Sequence, residues 1–127
     1  MEEATRVTFA GGRNIAMKVP PHQWEATVAF YRDTVGLPTF EHEPTTPPSV
    51  GFIFGGNRLW IDRVESVSHA ELWLELTTED VPGAANHLGA AGVVRRDEIE
   101  PLPQDHEGFW IANPASIIHM VAKPDAS

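Results

Sequence analysis

The chain has 127 residues, 42% hydrophobic and 21% charged, with no cysteine and a formal net charge of −9. That length buries a core unaided, and the missing thiols exclude a disulfide framework, a cysteine nucleophile and thiolate metal ligation. Nine basic residues against eighteen acidic ones exclude the cation cluster that phosphate backbones require. No apolar run reaches a membrane span of roughly 18 residues, and Met1-Glu2-Glu3 lacks the regions of a signal peptide. The expectation is one cytoplasmic domain, 1–127, with a small-molecule ligand and neither a nucleic-acid nor a membrane partner.

Thr5–Ala10 reads as an extra strand or an arm reaching a partner subunit. Asn14–Val19 alternates apolar Ile15, Met17 and Val19 with Asn14, Ala16 and Lys18, the pattern of a half-buried strand. Pro20-Pro21 ends it. His22–Val35 carries Trp24, Val28, Tyr31 and Val35 at helical spacing, with Gly36 as the stop signal. Strands are predicted near Thr39–Glu43, Val50–Phe54 and Arg58–Val64, the last two joined by a turn at Gly55-Gly56-Asn57. The order then repeats. Ala70–Leu76 is a strand with Leu72, Leu74 and Leu76 on one face, and Asp80–Ala91 is a helix begun by Asp80 and Pro82 and ended by Gly92. Strands near Val93–Glu98, Gly108–Ala112 and Ile117–Ala122 complete it.

The repetition is visible residue by residue at a spacing of 57. Gly51-Phe52-Ile53-Phe54 recurs as Gly108-Phe109-Trp110-Ile111, and Glu41, Glu43 and Pro44 recur as Glu98, Glu100 and Pro101. Two copies are too few for a solenoid and predict two halves, about 13–65 and 69–123, each β-α-β-β-β. The expected fold class is α+β, with the half-domains forming a curved mixed-sheet cleft and the helices outside.

Paired β-α-β-β-β halves, with Phe30-Tyr31-Arg32-Asp33 and Gly36-Leu37 closing the first helix, resemble the vicinal oxygen chelate superfamily of glyoxalases, extradiol dioxygenases and bleomycin-resistance proteins. Gly108-Phe109-Trp110-Ile111-Ala112-Asn113-Pro114-Ala115-Ser116 is similar to that family's last hairpin, with Asn113 and Ser116 where Asp and Gly are usual. The resemblance implies a homodimer and a divalent metal held by four side chains, usually His and Glu, from the first and last strands of each half. Carried over by the spacing of 57, those positions are Asn14, Asp62, Glu71 and His119. A slip of the altered hairpin by one residue would present Met120 instead of His119.

Asn14 is a poor transition-metal ligand, so two readings follow. In the preferred one the protein binds a small aromatic or cationic compound in an acidic, Trp-lined cleft, with no cofactor and no functional metal. Asn14, Asp62, Glu71, Glu75 and His119 supply polar recognition, and Trp60 and Trp73 stack. Asp62 and Glu71, if buried, then need His119 or Lys18 as partner. In the alternative, Asp62, Glu71 and His119 hold Mn, Fe, Ni or Zn for a lyase, isomerase or dioxygenase acting on vicinal oxygens, with Glu75 a candidate general base.

Overall fold

The computed structural model describes residues 7–102 and 106–124. Among them are eight strands and two α-helices. In chain order these are β1 (Ala10–Gly11), β2 (Asn14–Val19), α1 (Pro21–Ala29), β3 (Ser49–Phe54), β4 (Asn57–Arg63), β5 (Glu71–Thr77), α2 (Val81–Ala90), β6 (Val94–Arg95), β7 (Gly108–Ala112) and β8 (Ile118–Ala122). Strand pairing is mixed: β2 with β4 and β5 with β8 are parallel, and the other pairs are antiparallel. The class is α+β. The chain clusters into two compact units, Arg13–Trp73 and the chain on either side of it. No helix among the described residues is long and apolar enough to cross a membrane.

In the Arg13–Trp73 unit the strand order is β3-β4-β2, with the Glu71–Trp73 end of β5 beside β2. Pro21 starts α1, where its missing N–H costs nothing, and a π-helical turn, Phe30–Val35, continues it. Gly36 stops the helix in the left-handed conformation (φ 81°), and Tyr31 O accepts from the N–H groups of Gly36 and Leu37. Trp24, Val28 and Tyr31 of the helical stretch pack on Val19, Phe52, Leu59 and Ile61, with Ile15 and Met17 beside them. Trp24 Nε1 also donates to Ile61 O at 3.0 Å. The alternation of strand side chains therefore turns Asn14, Ala16 and Lys18 of β2, and Arg58, Trp60 and Asp62 of β4, to the opposite face.

The strand expected at Thr39–Glu43 is reduced to one bridge, Thr39 to Phe52. Pro38 has no N–H to extend the ladder, and Phe40 lays its ring against Gly51, where a Cβ would collide with it.

In the other unit the order is β5-β8-β7-β6, with β1 on the free side of β5 at Leu76 and Thr77. Asp80 caps α2 by accepting from Gly83 N at 2.9 Å, and Gly92 (φ 82°) follows its end. Val81 and Ala84 of α2 pack on Phe109, Ile111 and Val121, joined by Leu76, Val7 and Phe9. Part of the predicted Thr5–Ala10 strand lies outside the described residues; Val7 and Phe9 belong to this core, and the ladder holds only Ala10 and Gly11. Strand β6 stops at Arg95 because the Asp97 side chain takes the Trp110 N–H. Leu72 and Leu74, expected beneath a helix with Leu76, are 47% and 39% exposed.

The two final hairpins differ. Phe54 pairs with Asn57 around Gly55-Gly56, but Ala112 pairs with Ile118 around Asn113 to Ile117. Asn113 Oδ1 accepts from Ala115 N and Ile117 N, both at 2.9 Å, and Ser116 is left-handed (φ 67°). This longer loop sets the face of every side chain on β8. Phe52→Ala is expected to cost about 3–5 kcal/mol, and Leu72→Ala within about 0.5 kcal/mol, by urea denaturation.

Candidate functional site

The face of the Arg13–Trp73 unit turned away from α1 is ordered in rows. Register places Ser49, Asp62, Lys18 and Glu71 side by side across β3, β4, β2 and β5. The next row is Gly51, Trp60, Ala16 and Trp73, and the third holds Ile53, Arg58 and Asn14. Cross-strand neighbours in such rows have Cβ atoms about 5 Å apart, so each row is a chemical unit.

The first row is polar and alternates in charge. Lys18 is 2% exposed and its Nζ donates to Asp62 Oδ2 at 2.7 Å. Ser49 Oγ donates to the other Asp62 oxygen. The same ammonium lies 4.2 Å from the centroid of the Trp73 ring. Trp73, 5% exposed, donates its indole N–H to Glu71 Oε1 at 3.0 Å. The second row is aromatic around a gap. Trp60 leans along β2 to donate to Asn14 Oδ1 at 2.9 Å, whereas Trp73 leans the other way, towards Glu71, and only the methyl of Ala16 stands between their strands. Phe40 and His42 pack edge-on to Trp60, with centroids 5.0 and 4.8 Å away, and Arg58 lies over Phe40.

In the other unit Glu75, Met120 and Trp110 form one row. The Glu75 side chain lies on Gly12, at a spot where a Cβ would displace it. Trp110 is 4% exposed and donates to Glu100 O at 2.9 Å. His119 pairs with Leu74 and alternates with Met120, so it shares the face of Leu76, Val121 and α2. Its Nδ1 lies 3.0 Å from Ile117 O. The ungapped spacing assigned His119 the Glu75 side of the strand; the longer hairpin gives that side to Met120.

The expected metal donors can be tested on this geometry. Asn14 pairs with Arg58, four residues along β2 from Lys18, which places it about 13 Å from the Asp62 row. Asn14 Oδ1, both Asp62 oxygens and Glu71 Oε1 already accept hydrogen bonds, and Asp62 is paired with an ammonium. Among the described residues no group of three or more His, Asp or Glu is placed to hold a metal ion. The donor set does not fit a divalent ion. In two exposed pairs, Arg32 holds the Asp33 carboxyl below its usual range, and Arg96 does the same to Glu98.

Sequence reasoning named Asn14, Trp60, Asp62, Glu71 and Trp73, all on this first face. It missed Ser49, Phe40 and the small size of Ala16. The signal was there in part, since Lys18 has the parity of Asn14.

No protein-family model matches the chain, and no curated protein matches it. Solved structures do. The Mn(II)-bound glyoxalase from Novosphingobium aromaticivorans is 18% identical with a TM-score of 0.64, over 96% of this chain and 44% of that one. Methylmalonyl-CoA epimerase from Streptomyces coelicolor, in complex with 2-nitronate-propionyl-CoA, is 16% identical with a TM-score of 0.65, over 94% and 100%. A glyoxalase/bleomycin resistance protein/dioxygenase superfamily member from Vibrio splendidus 12B01 is 9% identical with a TM-score of 0.57, over 86% and 97%. The chain thus has the fold of the vicinal oxygen chelate proteins.

Asp62→Ala takes a carboxylate from a buried ammonium and is expected to cost about 3–5 kcal/mol. The double variant Lys18→Met, Asp62→Leu, which removes both charges, is expected to recover most of that loss in urea denaturation followed by circular dichroism.

Proposed function

We propose that this protein binds a planar aromatic small molecule, preferentially one carrying an amine or ammonium, and that it does so without a divalent metal. The observation that carries the reading is the Trp60–Ala16–Trp73 row. Adjacent strands lie about 4.8 Å apart, so the two tryptophan backbones stand about 10 Å apart with one methyl between them. A ring stacked at van der Waals distance needs about 3.5–4 Å from the indole face it covers, and the position beside Trp60 on β2 carries a methyl alone. Lys18 covers one face of Trp73, so half-buried Trp60 and the Ala16 gap offer the stacking surface. Both indole N–H groups are held by side chains, and a held aromatic wall loses little entropy on binding.

The preference for a cation follows from charge. In the polar row the Lys18 charge is balanced by Asp62, which leaves exposed Glu71 with one negative charge to spare on a chain of net charge −9. His119 is not among the proposed contacts. Ala16 acts as the spacer: a larger side chain there fills the gap.

The test is a titration with N-methylquinolinium, followed by quenching of tryptophan fluorescence. Saturable binding, unchanged by EDTA and weakened about tenfold in Trp60→Ala, is the expected result. Ala16→Phe is expected to abolish it. Absence of saturable binding for N-methylquinolinium, quinoline and naphthoate alike, or binding only after metal addition, overturns the reading.

A further inference from the structure

We propose that Lys18 is the resident cation of this site: its ammonium holds, beside Asp62 and across from Glu71, the place a divalent ion would need, and so keeps the row closed to metals. The inference rests on the metal-free reading above and explains how the chain enforces it.

Three observations meet on this one side chain. Lys18 is 2% exposed, although Asn14 and Ala16, which share its face of the strand, are half-buried. Its Nζ sits 2.7 Å from Asp62, whose second oxygen is taken by Ser49, so the carboxylate is saturated between an ammonium and a hydroxyl. The same charge lies over the Trp73 face, which attracts cations by its quadrupole. The neighbours on the row are a hydroxyl and two carboxylates, the hard oxygen chemistry that suits Mg, Ca or Mn. In this chain the positive charge for those oxygens arrives covalently, on the β2 backbone. A free ion has to displace a short charge-assisted contact from a buried position.

The oxygens are therefore a latent metal site that one side chain suppresses. Lys18→Met keeps the apolar stem and removes the charge, and leaves Asp62 and Glu71 on either side of the vacated position, with Ser49 beyond Asp62. Lys18→Arg keeps the charge and keeps the row closed. This makes the role of Lys18 separable from a purely structural one, because a structural role does not create affinity for an ion.

Mn(II) binding to purified protein is measured by electron paramagnetic resonance of the free ion, with near-ultraviolet circular dichroism to establish that each variant is folded. Wild type and Lys18→Arg are expected to leave Mn(II) free, and Lys18→Met to bind one equivalent at least about tenfold more tightly than wild type, a gain of about 1.4 kcal/mol. Adding Asp62→Asn to Lys18→Met is expected to abolish the gain. Lys18→Gln, which keeps a donor for Asp62, replaces the methionine variant if that one does not fold. Tight Mn(II) binding by wild type, lost on Asp62→Asn, overturns the inference together with the metal-free reading. Wild type and a folded, uncharged Lys18 variant that both leave Mn(II) free overturn the inference alone.

Discussion

Strand β2 can satisfy its two faces in only one way, and the candidate site follows from that constraint. Ile15, Met17 and Val19 pack in one cluster with Trp24, Val28 and Tyr31. Lys18, between two of them in sequence, is thereby committed to the opposite face at a depth where an unpaired ammonium is untenable. Parallel pairing with β4 then delivers Asp62 directly beside it. Core, register and charge pairing are one decision here. A shift of β4 by a single residue would bury Trp60 against α1, expose Ile61 and take Asp62 away from Lys18.

Most of the fold was legible because its signals are local. Alternation in Asn14–Val19 marks that strand to the residue, and Asp80, Pro82 and Gly92 bracket α2. What failed was non-local. Leu72 and Leu74 have the same apolar period as Leu76, but α2 reaches only Leu76, and helix coverage is not written in a strand's own sequence. Thr39–Glu43 has strand-like composition, yet whether it pairs depended on Pro38 and on a Phe40 ring seated against Gly51.

The candidate site was legible where the internal repeat is faithful and illegible where it drifts. Residue 71 stands to β5 as residue 14 stands to β2, and Glu71 and Trp73 lie on the expected face. The same arithmetic fails for β8 because the last hairpin closes around Asn113 to Ile117, not around two glycines. Asn113 and Ser116, the two departures from the usual hairpin, are the residues whose side-chain bonds and left-handed backbone build the longer loop. A substitution that reads as a weak motif match was thus the visible trace of the shift that moves His119 to the helix side.

That shift bears on how far a shared fold carries chemistry. At 16–18% identity the glyoxalase and epimerase structures share this chain's backbone path, which says where strands and helices run and nothing about which atoms face a ligand. The side chains at the relevant rows decide it. Here the row that contains Asp62 also contains a lysine, and the strand that ends each half presents Asp62 in one and Met120 in the other. An ammonium on a stem differs from a metal ion in ways that matter for a ligand: it carries one charge, it is directional and it offers no open coordination positions to two oxygens at once. A row organised around Lys18 is therefore suited to holding shape and charge in place, with the aromatic row beside it providing the contact area.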